Sequence, residues 1–506
     1  MARLHVPEAL KAWLPHIAFV LLAIGASAPA WIVKYPPVQD LPYHVATIRI
    51  LHSFHNDAFG LQPFFDLHLT NTHYLLYYVA GSLLAYPLTV AYASVVLMSA
   101  YFAGTVLAMA SLLRSLGRDP RASILAIPLL SNVLFVYGLL PFLLGIPLMF
   151  WGLGLAMRHC QQPRWSTGVG LAVVSLACFY SHIVPFGLLG MGWLAMLSWR
   201  PFKQWLKAAA PGVPALILLI WWLLATDAGR TTGGLLSMQQ SAGVRRLDSS
   251  FNDVFAWFTN MFQDNSDELC VIAAAVVALL SLIVSVGKAQ PIAPRAYRYG
   301  IVPLACLVFY FVLPVGHDFI WPLAQRFVIL FALTLVPLWP FPTGTWAHVT
   351  TVLALIVAAA TTINTSHQFV RFQQEEVGDF DEAAEAIPAA KKVCALIFNR
   401  GSRITNHQPF LHFGSWIQAQ KGGVIMFTFA GYPHWPVDFK SGMYPPPGGP
   451  ARRRWEWTPE RVTSKELYPY YDYILTRGSG FHPASQQFEQ VYQGSMWHVW
   501  KRVEQQ

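Results

Sequence analysis

Asp40 and His44 stand four residues apart in "PPVQDLPYHVATIRIL" (36–51), directly after a long apolar stretch. In a helix this spacing places both side chains on one face, which His55 shares about three turns further on. A carboxylate there can act as a general base that takes the proton of an acceptor hydroxyl, while the imidazole orients or shares that proton. The alternative is a helix cap, because Asp is a favoured N-cap residue and Pro42 is tolerated in the first turn.

Arg326 is a candidate for binding phosphate. It opens an apolar stretch after "GHDFIWPLAQ", and a guanidinium matches phosphate oxygens better than an ammonium does. Snorkelling towards lipid headgroups is the alternative. Other candidates stand in polar loops or at the ends of apolar stretches: His317, Arg245 and Arg246 for the same phosphate, and His73, His182 and Asp318 as further pocket residues.

Metal binding stays open on the sequence. Imidazole and carboxylate groups suit Mn²⁺ or Zn²⁺, and four more histidines lie between Asp40 and His73. No compact motif such as HExxH groups them, and the five scattered cysteines form no CxxC motif. We therefore predict no certain cofactor, with a divalent cation, Mn or Mg, as the possible one.

The composition is that of a membrane protein. Hydrophobic residues make up 55% of the 506 residues and charged residues only 12%, well below the roughly 25% of soluble proteins. The net charge of +9 comes from short basic groups between apolar stretches, a pattern typical of membrane topology signals. The sequence thus predicts a polytopic α-helical membrane protein and no nucleic-acid partner.

About eleven apolar stretches are candidates for membrane-spanning helices, which need roughly 20 residues each. They cover about 13–33, 88–113, 123–140, 142–157, 167–180, 184–199, 209–226, 269–287, 299–315, 326–340 and 345–364. The tyrosine-rich segment "THYLLYYVAGSLLAYP" (72–87) is predicted to be a separate helix in the outer interface, where tyrosine is favoured.

The loops alternate between basic and acidic, which gives the orientation. The positive-inside rule places the basic loops and the N-terminus in the cytoplasm, so the candidate residues fall on the outer side. The first apolar stretch lacks a cleavage site and is predicted to be a retained helix. The expected location is a bacterial inner membrane.

The residues after the last apolar stretch are predicted to form an α/β domain. "FDEAAEAIP" predicts a short helix, "KVCALIF" and "YDYILT" predict buried strands, and "FEQVYQGSMWHVWKRV" predicts a hairpin around Gly494. We therefore divide the chain into a transmembrane part at 1–365, with an outer loop at 34–87, and an extracytoplasmic domain at 366–506. The stretch "RRRWEW" (452–457) is expected to lie on lipid headgroups or to pair with acids of this domain.

In this arrangement the chain resembles the GT-C superfamily of polytopic glycosyltransferases, which includes the protein O-mannosyltransferases and the aminoarabinose transferases. The resemblance covers the whole architecture, and "LTNTHYLLYY" (69–78) is similar to the His-Pro-Pro-Leu-Tyr stretch of many members. It implies that Asp40, in the position of the loop-one acid, is the catalytic base and that the sugar donor is a polyprenyl phosphate. Many members carry a second acid beside the first, whereas Leu-Pro-Tyr-His follows Asp40 here.

The predicted function is transfer of a sugar from a polyprenyl-phosphate donor to an extracytoplasmic acceptor, which is a glycan, a lipid or a protein. Three alternatives stay open. A transporter or lipid flippase would show repeated halves and polar residues at mid-membrane. A non-catalytic scaffold would bind a partner through its outer domain, and a phospho-group transferase would need a metal site.

Overall fold

The computed structural model describes residues 8–70, 72–198, 201–230, 250–286, 296–316, 320–446, 454–484 and 486–504. Most of this part is helical. The helices are α1 (Glu8–Gly25), α2 (Ala28–Trp31), α3 (Leu41–Ser53), α4 (Leu76–Leu84), α5 (Val90–Ser115), α6 (Ile127–Leu130), α7 (Val133–Tyr137), α8 (Leu140–Gln161), α9 (Trp165–Ser181), α10 (Ile183–Met196), α11 (Phe202–Ala209), α12 (Val213–Ala225), α13 (Phe251–Ala256), α14 (Ser266–Ser285), α15 (Ile301–Val312), α16 (Arg326–Leu335), α17 (Thr345–Phe372), α18 (Phe380–Glu385), α19 (Ser415–Lys421), α20 (Arg454–Trp457) and α21 (Ser464–Leu467).

Five helices of the described part are long and apolar enough to cross a membrane. They are α5, α8, the run from α11 to α12, α14, and α17 with its continuation to Val377. Helices α9, α10, α15 and α16 are apolar but shorter. The predicted number of about eleven spans therefore stays a prediction.

The segment before α5 is a separate helix, as predicted. Helix α4 has nine residues and is about 14 Å long, too short to span a bilayer. Helix α5 then begins anew after Thr89, whose side chain accepts a hydrogen bond from the backbone N–H of Tyr92 at 3.3 Å. The cap formed by Thr89 thus separates α4 from α5, although the apolar stretch is long enough for one continuous helix.

The stretch at 123–140, predicted as one span, is not one helix. Helices α6 and α7 are separated by Asn132, whose side-chain oxygen accepts hydrogen bonds from the N–H groups of Leu134 and Phe135 at 3.0 and 3.2 Å. This cap starts a new helix. Helix α7 then ends at Gly138, which has a φ of +88°. The result is a tight turn in place of a continuous crossing.

The C-terminal part contains a five-stranded sheet. Its strands are β2 (Lys392–Ile397), β3 (Val424–Ile425), β5 (Tyr473–Arg477), β6 (Phe488–Gln493) and β7 (Trp497–Arg502), and a separate pair is formed by β1 (Phe65–Leu67) and β4 (Val437–Phe439). The order in the sheet is β3-β2-β5-β7-β6. Strand β2 is parallel to β3 and β5, and the remaining pairs are antiparallel. The predicted helix is α18, the predicted strands are β2 and β5, and the hairpin is β6–β7.

Two connections tie the C-terminal part to the helices. Helix α17 runs through the predicted boundary at 365/366 and continues as a π-helical turn to Val377. Strand β1 of the outer loop pairs antiparallel with β4, and the buried ring of Phe65 lies 4.8 Å from that of Phe439. The outer loop is therefore packed between the helices and the C-terminal domain.

Candidate active site

A cavity of about 400 Å³ lies where the outer loop, the helices and the C-terminal domain meet. Three residues that the sequence singles out, Asp40, His44 and Arg326, line it together. Much of the remaining wall is aromatic, with Trp321 and Trp457 among its residues. The size and the few polar groups among aromatic rings are typical of a small-molecule site.

Asp40 stands at the start of α3 but does not cap it. The helix begins at Leu41 with Pro42 in its first turn, as predicted, yet the Asp40 carboxylate makes no capping hydrogen bond. Its side chain is 23% exposed and lines the cavity. The simple cap interpretation therefore does not explain this carboxylate.

The backbone around Asp40 is fixed by the turn after α7. The N–H groups of Gln39 and Asp40 donate to the carbonyl oxygens of Val136 and Tyr137 at 2.9 and 3.1 Å. Gly138 follows, and a Cβ atom there would lie 2.9 Å from the Asp40 nitrogen and 3.0 Å from its Cβ. Only glycine fits this turn without moving the carboxylate.

His44 is fully engaged by its neighbours. Nε2 donates to the Gly138 carbonyl and Nδ1 accepts from the Tyr78 hydroxyl, both at 2.8 Å. Burial lowers the pKa of His44 to about 4, so the ring is neutral at pH 7. These contacts favour a role in holding the Gly138 turn, and they occupy both nitrogens that would share a proton with Asp40.

Two residues of the C-terminal domain that the sequence does not predict extend the site: His412 lies beside Asp40, and Glu456 lies on the other side of His412. His412 Nε2 lies 3.5 Å from Asp40 Oδ1, and His412 Nδ1 lies 3.2 Å from Glu456 Oε1. Glu456 belongs to "RRRWEW", and its Oε1 accepts a hydrogen bond from the Tyr43 hydroxyl at 2.7 Å. Glu456 therefore contacts a residue that lines the cavity. The sequence predicts instead that this stretch contacts headgroups or acids of its own domain.

Arg326 is buried at the start of α16, with 5% of its surface exposed. Nε donates to the Pro322 carbonyl at 2.6 Å, and Nη1 lies 2.5 Å from His182 Nε2. The guanidinium also lies 5.4 Å from the centre of the Phe142 ring. Within the described ranges, no carboxylate forms an ion pair with Arg326. An anion bound in the cavity would therefore interact with the positive charge of the Arg326 guanidinium.

The other predicted residues lie behind the site or outside the described ranges. His182 supports Arg326 from behind and caps α10 by accepting from the Val184 N–H at 3.0 Å. The buried ring of His73 packs 4.6 Å from that of Trp222. Neither residue lines the cavity, although the sequence predicts both as pocket residues. Arg245, Arg246, His317 and Asp318 fall on residues that the structure does not describe.

The possible metal site finds no support in the donor set. Over the part of the chain with described side chains, no three His, Cys, Asp or Glu residues are grouped to hold a metal ion. His52 instead contacts the Ser82 carbonyl, and His55 contacts Gln62. The described residues therefore group no set of metal ligands, and no chemical step is assigned to a metal.

Replacing Gly138 by alanine should displace Asp40. The positive φ and the contact with the Asp40 backbone predict a destabilisation of about 1–3 kcal/mol, measured by thermal unfolding in detergent. Gly187→Ala is the matched control, because a Cβ there meets nothing within 4 Å. Equal unfolding temperatures for the two variants would contradict the assigned turn geometry.

His407 should make folding stability depend on pH. Its Nε2 donates to the Pro37 carbonyl at 2.7 Å, and burial lowers its pKa to about 4. An unfolded histidine has a pKa of about 6.5, so its contribution is complete above that pH and is lost as pH falls towards 4. Unfolding temperatures at pH 7.5 and 4.5 should therefore differ less for His407→Asn than for the wild type.

The exposed His482 provides the control for this measurement. His482→Asn should keep the pH dependence of the wild type. An unchanged pH dependence in His407→Asn would show that His407 is not buried in its neutral form.

Comparison with known proteins shows the fold. No family model matches the chain, and no curated protein gives a significant match. The crystal structure of ArnT from Cupriavidus metallidurans bound to undecaprenyl phosphate matches 97% of this chain and 98% of that chain, with 11% identity and a TM-score of 0.57. This likeness shows that the chain has a fold similar to that of ArnT, as the resemblance in the sequence implied. The five long apolar helices of the described part identify an integral membrane protein.

Proposed function

We propose that this protein is a membrane glycosyltransferase of the GT-C type, which transfers a sugar from a polyprenyl-phosphate donor to an extracytoplasmic acceptor. The observation that carries the proposal is that the Asp40 carboxylate and the Arg326 guanidinium line the same cavity. Transfer of a sugar from a phosphate needs a base for the acceptor and a cation for the departing phosphate. The bound undecaprenyl phosphate of ArnT supports a polyprenyl phosphate as the donor carrier.

Asp40 is the base in this proposal. Its carboxylate takes the proton of the acceptor hydroxyl as the oxygen attacks the anomeric carbon, and the bond from that carbon to the phosphate oxygen breaks. Asp40 suits the role because its main chain is held by the α7 turn and its side chain lines the cavity. A base fixed before the substrate arrives need not reorganise in the transition state.

Arg326 is the cation for the donor phosphate. Negative charge grows on the phosphate oxygens as the sugar leaves, and a fixed guanidinium stabilises that charge most effectively in a site that excludes water. The burial of Arg326 and its hydrogen bond to Pro322 hold it in place. A lipid phosphate would also supply the counter-charge that a buried guanidinium requires.

The aromatic wall is suited to a sugar ring. Trp321 and Trp457 line the cavity while 40% and 44% of their surfaces remain exposed, so their rings are accessible for stacking. Trp457 belongs to the C-terminal domain, as do the lining residues Phe429, Tyr432 and Trp435. We therefore assign acceptor selection to this domain. We further propose that the protein lies in a bacterial inner membrane, with this domain in the periplasm and the N-terminus in the cytoplasm. A scaffold that only binds a partner would not need a cavity of this kind.

Sugar transfer and donor binding should respond differently to two substitutions. In nanodiscs with a panel of undecaprenyl-phosphate sugars, Asp40→Asn should lower transfer by about 100-fold or more with donor affinity retained. Arg326→Gln should weaken donor binding by about 10-fold or more, because a charge-assisted contact to phosphate is lost. Transfer is followed by product formation and affinity by equilibrium binding.

Matched controls come from exposed residues of the same types. Asp57→Asn and Arg403→Gln should leave both quantities unchanged, since Asp57 is exposed on the outer loop and the Arg403 side chain is 87% exposed. Full transfer by Asp40→Asn would remove Asp40 from its role as base. A wild type that neither binds nor consumes any donor would overturn the proposed function itself.

A further inference from the structure

His412 lies between two carboxylates that come from distant parts of the chain. Asp40 Oδ1 is 3.5 Å from Nε2 and Glu456 Oε1 is 3.2 Å from Nδ1. Only 5% of the His412 side chain and 4% of the Glu456 side chain are exposed. The imidazole therefore bridges the candidate base to a carboxylate that is almost completely buried.

Two carboxylates on either side of one imidazole favour its protonated form, because each opposite charge stabilises the imidazolium. A neutral imidazole carries one N–H and can donate to only one carboxylate, whereas an imidazolium donates to both. A buried carboxylate is costly without a compensating charge. An imidazolium at His412 would place positive charge 3.2 Å from Glu456 Oε1 and 3.5 Å from Asp40 Oδ1.

The remaining groups around His412 are consistent with this state. The Tyr43 ring packs edge-on against the imidazole at 4.2 Å, and the Tyr43 hydroxyl donates to Glu456. Arg400 contacts the backbone carbonyls of Glu456 and Trp457. Tyr43 and Arg400 are thus titratable or charged groups beside the cluster, and Tyr78 and Tyr137 lie close enough to Asp40 to interact with its charge.

We propose that His412, held as an imidazolium by Glu456, is a positioning residue that orients the Asp40 carboxylate. The C-terminal domain thereby completes the catalytic apparatus, in addition to any part that it has in selecting the acceptor. Glu456 supplies the second acid that the sequence next to Asp40 lacks. This inference rests on the proposed function, because it assigns Asp40 the role of base.

The proposal is tested by kinetics and their pH dependence in nanodiscs, with the undecaprenyl-phosphate sugar that the wild type consumes. His412→Gln should lower kcat by about 10–100-fold, because a misplaced base costs rate, while KM for the donor changes less than about 3-fold. The kcat profile of the wild type should fall at alkaline pH as the imidazolium loses a proton, and His412→Gln should lack this alkaline limb.

Glu456→Gln tests the positioning role through the pH profile of kcat, which would not shift if Glu456 only stabilised the fold. Removal of this negative charge makes the imidazolium less favourable, so the alkaline limb should shift to lower pH. The exposed His482→Gln variant is the control and should keep both kcat and the profile. A kcat within about 3-fold of the wild type and an unchanged profile in both His412→Gln and Glu456→Gln would overturn the proposal.

Histidine NMR separates this inference from the proposed function. In nanodiscs with ¹⁵N-labelled histidine, the signal that disappears in His412→Gln should be that of a doubly protonated ring at pH 7. The same signal should titrate at lower pH in Glu456→Gln. A neutral His412 ring at pH 7 would overturn the positioning role even if sugar transfer is observed. Absence of transfer with a doubly protonated ring would overturn the proposed function, and the positioning role with it, while the protonation state of His412 would stand.

Discussion

The position of the Asp40 carboxylate depends on a short backbone segment that is held from two sides. On the helical side, Gln39 and Asp40 donate to the carbonyls of the α7 turn, and Gly138 allows the close approach. On the side of the C-terminal domain, His407 donates to the Pro37 carbonyl. Segment 37–40 is thus hydrogen-bonded to both parts of the protein, and two of its residues, Gln39 and Asp40, line the cavity.

The charges at the cavity follow from this arrangement. Arg326 lines one part of the wall, with His182 next to it on the side away from the cavity. Asp40 and His412 line another part, and Glu456 contacts His412. Ionised groups at low exposure are tolerated when each has a partner of opposite charge or several hydrogen bonds. The carboxylates of Asp40 and Glu456 have the His412 imidazole between them, whereas Arg326 is the group whose charge an anionic ligand would balance. This difference supports a phosphate at Arg326 and a hydroxyl at Asp40.

Local patterns predicted much of the fold and part of the site. The spacing in "QDLPYH" gave the start of α3, and the apolar runs after residue 390 gave β2, β5 and the hairpin, because these signals act over a few neighbouring residues. The break at Asn132 was missed since the apolar residues on both sides hide a single capping amide. His412 and Glu456 were missed because their contacts with α3 and Asp40 span hundreds of residues, and no spacing rule reports such a contact. The His-rich loop "TNHQPFLH" (405–412) was the available signal for His407 and His412.

In the proposed mechanism, the cavity beside Asp40 receives a lipid phosphate at Arg326. A cryo-electron microscopy structure in nanodiscs with undecaprenyl phosphate tests this most directly. We expect phosphate density within hydrogen-bonding distance of the Arg326 guanidinium, in the cavity that Asp40 lines. Phosphate density away from Arg326, with this cavity closed to the lipid, would contradict it.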